Sequence, residues 1–352
     1  MRNYSTWAFS EGDEIVAGRH ATRLLGGGRR YEAYLAWDDE LHALVVVKIV
    51  RPELVDSARV RRGIEGEAHA LRSLSHPTIV RMFDAVLDGE RPHLVLESLD
   101  GPRLSTLIRR YRVIVEQLLP LALELCSALH YMHRRDFVHL DVKPRNVVMS
   151  ARPRLIDLSV ATTVGAVSEF TRPVGTDAYM APEQCDPDQF SDIGPASDVW
   201  GLGVTMYEAV SRTLPYASAA AGATSGGAKY PQLVADPVPL GKDVPVELAE
   251  AILSCLERRP ENRPRPLPRP GFAGGEGCGS RTARGGARPA ARPFRGLFLV
   301  RQAGARLPAD VDPHAAGFRL MARSVTLGDL LHFRVWVGDG DELTTGVFAP
   351  DF

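Results

Sequence analysis

The sequence predicts an α+β fold: a β-rich first lobe, a helical second lobe, and a C-terminal tail of poorly defined architecture. Short β-prone runs fill residues 20–97 and are broken by glycines or by Asp38-Asp39-Glu40. Apolar residues spaced three and four apart dominate most of 98–264. Beyond Pro264 both patterns give way to proline, glycine and arginine.

In the first lobe, Ala21 to Leu25, Tyr31 to Trp37 and Ala43 to Val50 read as strands. A helix follows over 58–74, where Ile64, Leu71 and Leu74 share one apolar face. Glu67 lies three residues after Ile64 and four before Leu71, so it points inward with that face. Glu65 is rotated by about 100° from Ile64 and points away. A buried carboxylate needs a partner, and Lys48, ending the run Ala43-Leu44-Val45-Val46-Val47, supplies one. The plain alternative is a solvated Glu67.

After His93-Leu94-Val95-Leu96-Glu97 the pattern turns helical. Leu118, Ala122, Leu125, Leu129 and Met132 mark a long amphipathic helix, in which Pro120 is tolerable if it falls in the first turn. Two short strands at Val147-Val148 and Leu155-Ile156 bracket the polar segment between and around them. The run from Asp198 to Val210 reads as a buried helix, and Ala217 to Gly227 as a mobile surface loop. A last helix spans 246–257, just before Arg263.

The chain holds 352 residues with 42 lysines and arginines together, and only four of these are lysine. Two of the four, Lys48 and Lys143, stand in the most patterned segments. A compact ammonium on a flexible stem is not interchangeable with a planar guanidinium, so retained lysines in an arginine-biased chain point to chemistry. Lys143 lies in His139-Leu140-Asp141-Val142-Lys143-Pro144-Arg145-Asn146.

With Gly26-Gly27-Gly28 ahead of Val46-Val47-Lys48, and Asp157-Leu158-Ser159, Gly175-Thr176 and Ala181-Pro182-Glu183 behind it, this segment resembles the catalytic loop of a protein kinase. The resemblance is to bacterial serine/threonine kinases of the eukaryotic-like (Hanks) type. It covers residues 20–264, with an N-lobe over 20–97 and a C-lobe over 98–264. A glycine triplet alone carries little weight; ordered motifs at fitting spacing carry much more.

The resemblance implies ATP and magnesium as cofactors, with manganese as a substitute, and a protein serine or threonine hydroxyl as acceptor. It casts Lys48 as the ligand of the α- and β-phosphates, fixed by Glu67, and Gly26, Gly27 and Gly28 as the phosphate-covering loop. Asp157 and Asn146 would hold the metal. Asp141 would orient the substrate hydroxyl, and Lys143 would neutralise the moving phosphoryl group. Ala33, Val46 and Val148 would sandwich adenine, with Leu96 as gatekeeper and the backbone of Glu97 and Leu99 facing the base. Taken singly these have bland readings: an Asp near a turn is usually a cap, and the apolar residues serve equally as core. By the same resemblance His139 is structural, linking the loop to Leu158 and Leu71. Asp198 braces the loop, and Glu183 pairs with Arg263. Lys143 and Thr176 favour Ser/Thr over Tyr as acceptor, although Thr176 also reads as a simple loop residue.

The chain departs from the family pattern at Leu140, where an arginine usually precedes the catalytic aspartate. It departs again at Tyr31 in the third glycine position, where an aromatic ring is expected over the phosphates, and at Ser159 in place of glycine. A scaffold that binds nucleotide without turnover is the alternative reading.

Composition suits a cytoplasmic enzyme. Apolar content is 45% and net charge −1, so no global field draws in nucleic acid or anionic membrane. No apolar run reaches the roughly 20 residues that span a bilayer, and residues 1–19, an N-terminal extension, lack a signal-peptide pattern. Cys126, Cys185, Cys255 and Cys278 have no paired spacing and read as reduced thiols. Residues 265–296 form an arginine-rich, proline- and glycine-rich linker expected to be disordered, with a polyanion-binding arm as the minor alternative. Residues 297–352 carry strand-like pieces, Leu297-Phe298-Leu299-Val300 and Phe333-Arg334-Val335-Trp336-Val337, too few to specify a domain. A shifted reading frame after Pro264 would produce the same break in pattern.

Overall fold

The computed structural model describes residues 5–170, 172–187, 193–220 and 222–264, together with the backbone of three C-terminal strands. The first lobe is one antiparallel sheet of β1 (Glu14–Val16), β2 (Arg19–Gly27), β3 (Tyr31–Asp38), β4 (Ala43–Val50), β5 (Met82–Val86) and β6 (His93–Glu97). Its strand order is β1-β2-β3-β4-β6-β5. Helix α1 (Ala58–Ser73) connects β4 to β5 and packs on the sheet's inner face.

Register decides what that inner face presents. Ala33 pairs with Lys48, and Val46 pairs with Leu35 and Leu96. Side chains alternate along a strand, so Tyr31, Ala33, Val46, Lys48 and Leu96 all point to the same side. The opposite side buries Ile15, Tyr34, Ala36, Val45, Val47, Ile49 and Val95 in a separate cluster, covered by Trp7 and Phe9.

The second lobe contains α2 (Leu104–Arg110), α3 (Val115–Arg134), α4 (Pro182–Cys185), α5 (Pro195–Ser211), α6 (Gly226–Lys229) and α7 (Val246–Cys255). Short strands β7 (Phe137–Val138) and β10 (Thr162–Thr163) pair with each other, as do β8 (Val147–Met149) and β9 (Pro153–Leu155). One continuous core runs from Ile64 and Leu71 of α1 through Leu158 to Leu125 and Met132 of α3 and Trp200 of α5. The spacing argument for α3 holds on its buried face, but Pro120 falls in the second turn, not the first. Lacking an N–H, it cannot bond the Glu116 carbonyl one turn back, and the helix accommodates that loss. The alanine- and glycine-rich stretch is mostly exposed where described and ends in α6.

A pair of buried groups locks the far end of this lobe. The Arg263 guanidinium grips both carboxylate oxygens of Glu183 at 2.6 and 2.8 Å, with both side chains fully buried. Ser197 donates to the same carboxylate at 2.7 Å, and Arg263 also donates to the carbonyls of Ala196, Glu257 and Arg258. Satisfying the remaining donors in this way is what lets a buried ion pair persist.

The C-terminal strands, β11 (Arg323–Leu327), β12 (Leu330–Val337) and β13 (Asp341–Phe348), form an antiparallel sheet in chain order. The expected strand at Phe333 to Val337 lies within β12. The strand expected at 297–300 and the linker at 265–296 lie outside the described residues, as does Cys278. Cys126, Cys185 and Cys255 are free thiols.

Candidate active site

The inner face of the sheet and the loops of the helical lobe converge on two linked polar clusters. In the first, the Lys48 ammonium lies 2.8 and 2.7 Å from the Glu67 carboxylate oxygens and 2.8 Å from Asp157 Oδ1. Glu67 is 1% exposed and Glu65 is exposed, as helical periodicity requires. Burial alone would discharge Lys48, but Asp157 and Glu67 outweigh it and hold the ammonium above its ordinary pKa. Burial also works against charge on Asp157, and there Lys48, with a hydrogen bond from Ser159, keeps the carboxyl well below the usual range. Ser159, the departure from glycine, thus supports the carboxylate. Burial pushes the Glu67 carboxyl upward against the pull of Lys48, while the Leu158 N–H donates to it.

The second cluster surrounds Asp141. Lys143 Nζ lies 2.5 Å from Asp141 Oδ2 and 2.6 Å from Thr176 Oγ1. The Thr176 hydroxyl donates to Asp141 Oδ1 at 2.7 Å, so it bridges the two as the motif implied. Asn146 donates to the Asp141 carbonyl at 3.0 Å and to Oδ2 at 3.2 Å. Its amide nitrogen is thereby committed to Asp141, which leaves the amide oxygen to face elsewhere.

The loop carrying these groups is fixed from beneath. Asp198 accepts from the backbone N–H of His139 (2.9 Å) and Leu140 (2.7 Å) and contacts His133 Nε2 at 2.8 Å. His139 is fully buried, and burial lowers its pKa, so it stays neutral. Its Nδ1 accepts from the Asp141 N–H at 3.2 Å, a structural part. Leu140 and Asp157 both take left-handed backbone angles, φ 61° and 66°. For non-glycine residues this costs about 1–2 kcal/mol each, and such strain persists only where the surroundings enforce it. At Leu140 they do so through Asp198 on its N–H and Gln184 Nε2 on its carbonyl at 2.8 Å. Gly175, at φ 126°, passes so close that a Cβ there would lie 2.8 Å from that carbonyl.

The structure places the apolar residues expected around adenine on the facing surfaces of the two lobes' strands. Ala33, Val46 and Leu96 share the inner face, and Val148 is buried on β8 below. Glu97 ends β6 and Leu99 packs on the core two residues later. Leu25, 40% exposed at a bulge beside Gly26, is an uncovered apolar neighbour that the motif reading passes over.

Tyr31 is held by two contacts. Its ring lies with the centroid 5.0 Å from Lys48 Nζ, and its hydroxyl donates to the Val60 carbonyl of α1 at 3.3 Å. Room exists because the neighbour is Gly63, where a Cβ would lie 2.9 Å from that hydroxyl. The ring therefore ties the glycine turn to α1 and flanks Lys48.

Residues 19–267 match the protein kinase domain. The chain belongs to the protein kinase family, whose members use ATP and a divalent metal. It is 29% identical over 252 residues to serine/threonine-protein kinase PknB of Mycobacterium leprae, covering 68% of this chain and 39% of that protein. The Mycobacterium tuberculosis H37Rv protein of the same name is 28% identical over 253 residues, with the same two coverages. A probable serine/threonine-protein kinase of Clostridium acetobutylicum is 28% identical over 244 residues, covering 68% of this chain and 36% of that protein. The chain thus spans roughly two fifths of the length of the curated relatives it matches. Among the described residues, no helix is long and apolar enough to cross a membrane.

Proposed function

We propose that this chain is a serine/threonine protein kinase that transfers the γ-phosphate of ATP to protein hydroxyls. The observation that carries this reading is the contact set Asp141–Thr176–Lys143, with Lys48, Glu67 and Asp157 assembled beside it. Phosphoryl transfer asks the protein for positioning and charge, not covalent work. Lys48 holds the α- and β-phosphates. Asp141 accepts the hydrogen bond of the incoming hydroxyl, which displaces or joins Thr176, and Lys143 lies close enough to neutralise the group in transit.

Among the described residues there is no cluster of three or more His, Cys, Asp or Glu side chains fit to hold a metal. Magnesium does not require one: it keeps waters and binds through one or two protein oxygens plus phosphates. The Asp157 carboxylate and the free side of the Asn146 amide suit that role, and manganese would use the same oxygens. A divalent metal held by Asp157 and Asn146 would supply positive charge to offset that of the phosphates. Ala33, Val46, Leu96 and Val148 enclose the adenine, and the backbone of Glu97 and Leu99 reads its edge. The contacts of Lys48 with Glu67 and Asp157, and of Lys143 and Thr176 with Asp141, support transfer over the scaffold reading. The kinase unit is assigned to residues 20–264, and the cytoplasm is the proposed location.

Labelled ATP with magnesium and a mixed protein acceptor, followed by phosphoamino-acid analysis, tests the acceptor class. Label in phosphoserine or phosphothreonine is expected. Label confined to phosphotyrosine would contradict the role given to Lys143 and Thr176.

A further inference from the structure

We propose that Arg51 is a positioning residue for the glycine turn, and that the segment from Ser5 to Phe9 is the brace that holds Arg51 in place. This rests on reading Gly26-Gly27-Gly28 as the part that covers the nucleotide phosphates.

Arg51 follows directly on β4 and grips the turn at both ends. Its backbone N–H donates to the Arg30 carbonyl at 3.0 Å, and its Nε donates to the Gly28 carbonyl at 2.9 Å. Between them the turn closes on itself, with the Gly28 N–H bonded to the Tyr31 carbonyl at 3.0 Å. Gly27 admits the guanidinium only because it has no side chain: a Cβ there would lie 2.7 Å from the Tyr31 carbonyl and 3.1 Å from Arg51 Nη2. The direction of the turn's amides, and so their aim at a phosphate, depends on the carbonyls that Arg51 holds.

Nη1 of the guanidinium reaches the N-terminal segment. It donates to Glu32 Oε1 at 2.7 Å and to the Ser5 carbonyl at 2.7 Å. Glu32 is 1% exposed and also accepts from the Tyr34 hydroxyl at 3.0 Å and the Trp7 N–H at 3.3 Å. Trp7 Nε1 donates to the carbonyl of Val50, the residue before Arg51, at 2.8 Å. The Trp7 ring stacks on Phe9, Phe9 meets Tyr34 edge-on, and Arg91 lies over both Trp7 and Phe9. The segment is thus fastened at Glu32, Val50 and Arg51, at the base of the glycine turn. A planar fork with donors on separate nitrogens can span Gly28, Glu32 and Ser5 together; a single ammonium cannot.

The test uses the full chain as wild type, Arg51→Lys and the Trp7→Ala/Phe9→Ala double variant. Affinity for a fluorescent ATP analogue, KM for ATP, KM for a peptide acceptor and thermal unfolding are measured on each. Both variants are expected to weaken nucleotide binding and raise KM for ATP by about fivefold or more, leaving peptide KM unchanged. Should the double variant fail to fold, Arg51→Lys decides alone. Nucleotide affinity within about twofold of wild type in the folded variants, whatever happens to the melting temperature, would show a merely structural role and overturn the proposal. Absence of nucleotide binding by the wild type would instead overturn the kinase reading, and this inference with it.

Discussion

Leu140, the residue before the catalytic-loop aspartate, packs against Val167 of the segment that follows Asp157. The two are 3% and 5% exposed and share a buried cluster with Val138, against which Val160, Val164, Phe170 and Ile193 lie. In many kinases an arginine at this place clasps a phosphothreonine of that segment, and the charge-assisted pair orders it. An apolar contact replaces the clasp, and it needs no modification to form.

Activity should accordingly depend little on phosphorylation between Asp157 and Glu183. Apart from Ser159, Thr176 and Tyr179, the hydroxyl residues of that segment are Thr162, Thr163, Ser168 and Thr171. Phosphatase-treated enzyme and a Ser168→Ala/Thr171→Ala variant should retain activity to within about threefold on one peptide substrate. A loss beyond about tenfold, or 1.4 kcal/mol of barrier, would mean that a basic residue elsewhere does the work assigned to this cluster.

Lys143→Arg should be damaging although charge is kept. The ammonium fits between Asp141 and Thr176 with contacts of 2.5 and 2.6 Å, and the side chain is 14% exposed. A guanidinium is wider and cannot occupy that space without displacing one partner. The expected drop in kcat is at least about tenfold. An unchanged kcat would remove the significance given to lysine in an arginine-rich chain.

Arg263→Met should destabilise the helical lobe by about 3–5 kcal/mol, because it strands the buried Glu183 carboxylate without a counter-charge. Adding Glu183→Gln should recover part of the loss. Denaturant unfolding of the single and double variants measures both, and a single variant within about 1 kcal/mol of wild type would contradict the burial of this pair.

His139 carries a pH signature. Burial lowers its folded pKa below the ordinary 6.5, so the unfolded chain binds the proton more readily. Its contribution to stability is complete above pH 6.5 and is lost as pH falls below that value, levelling off under the folded pKa. Glu67, raised by burial, works in the opposite sense on acidification, so the informative quantity is a difference. Between pH 7 and 5, His139→Asn, which keeps an acceptor for the Asp141 N–H, should lose less melting temperature than wild type. Equal losses would place the protonating group elsewhere.

Much of this site was legible because its signals are local. Helical spacing alone turned Glu67 inward and Glu65 out, and the run His93–Glu97 coincides with β6. Lys48 and Lys143 stood out by scarcity. What escaped depends on contacts between residues far apart in sequence. Tyr31 turns toward α1 because Gly63 leaves room for its hydroxyl, and no periodicity reports that vacancy. Trp7 meets Glu32 across 25 positions and Ser5 meets Arg51 across 46, so the N-terminal brace looked like a featureless extension. Gln184, which fixes the Leu140 carbonyl, lies 44 positions away from it. The turn that holds Pro120 was left open, because apolar spacing locates a helix face better than its first residue.

The role proposed for Lys48 and Asp141 is to carry charge in the transition state of phosphoryl transfer. It is tested by magnesium-dependent transfer of labelled γ-phosphate in wild type, Lys48→Met and Asp141→Asn, with melting temperatures taken alongside. Transfer by the wild type and a loss of about two orders of magnitude or more in each folded variant is the result expected. Near-wild-type turnover in either variant, or no turnover by the wild type, would contradict it.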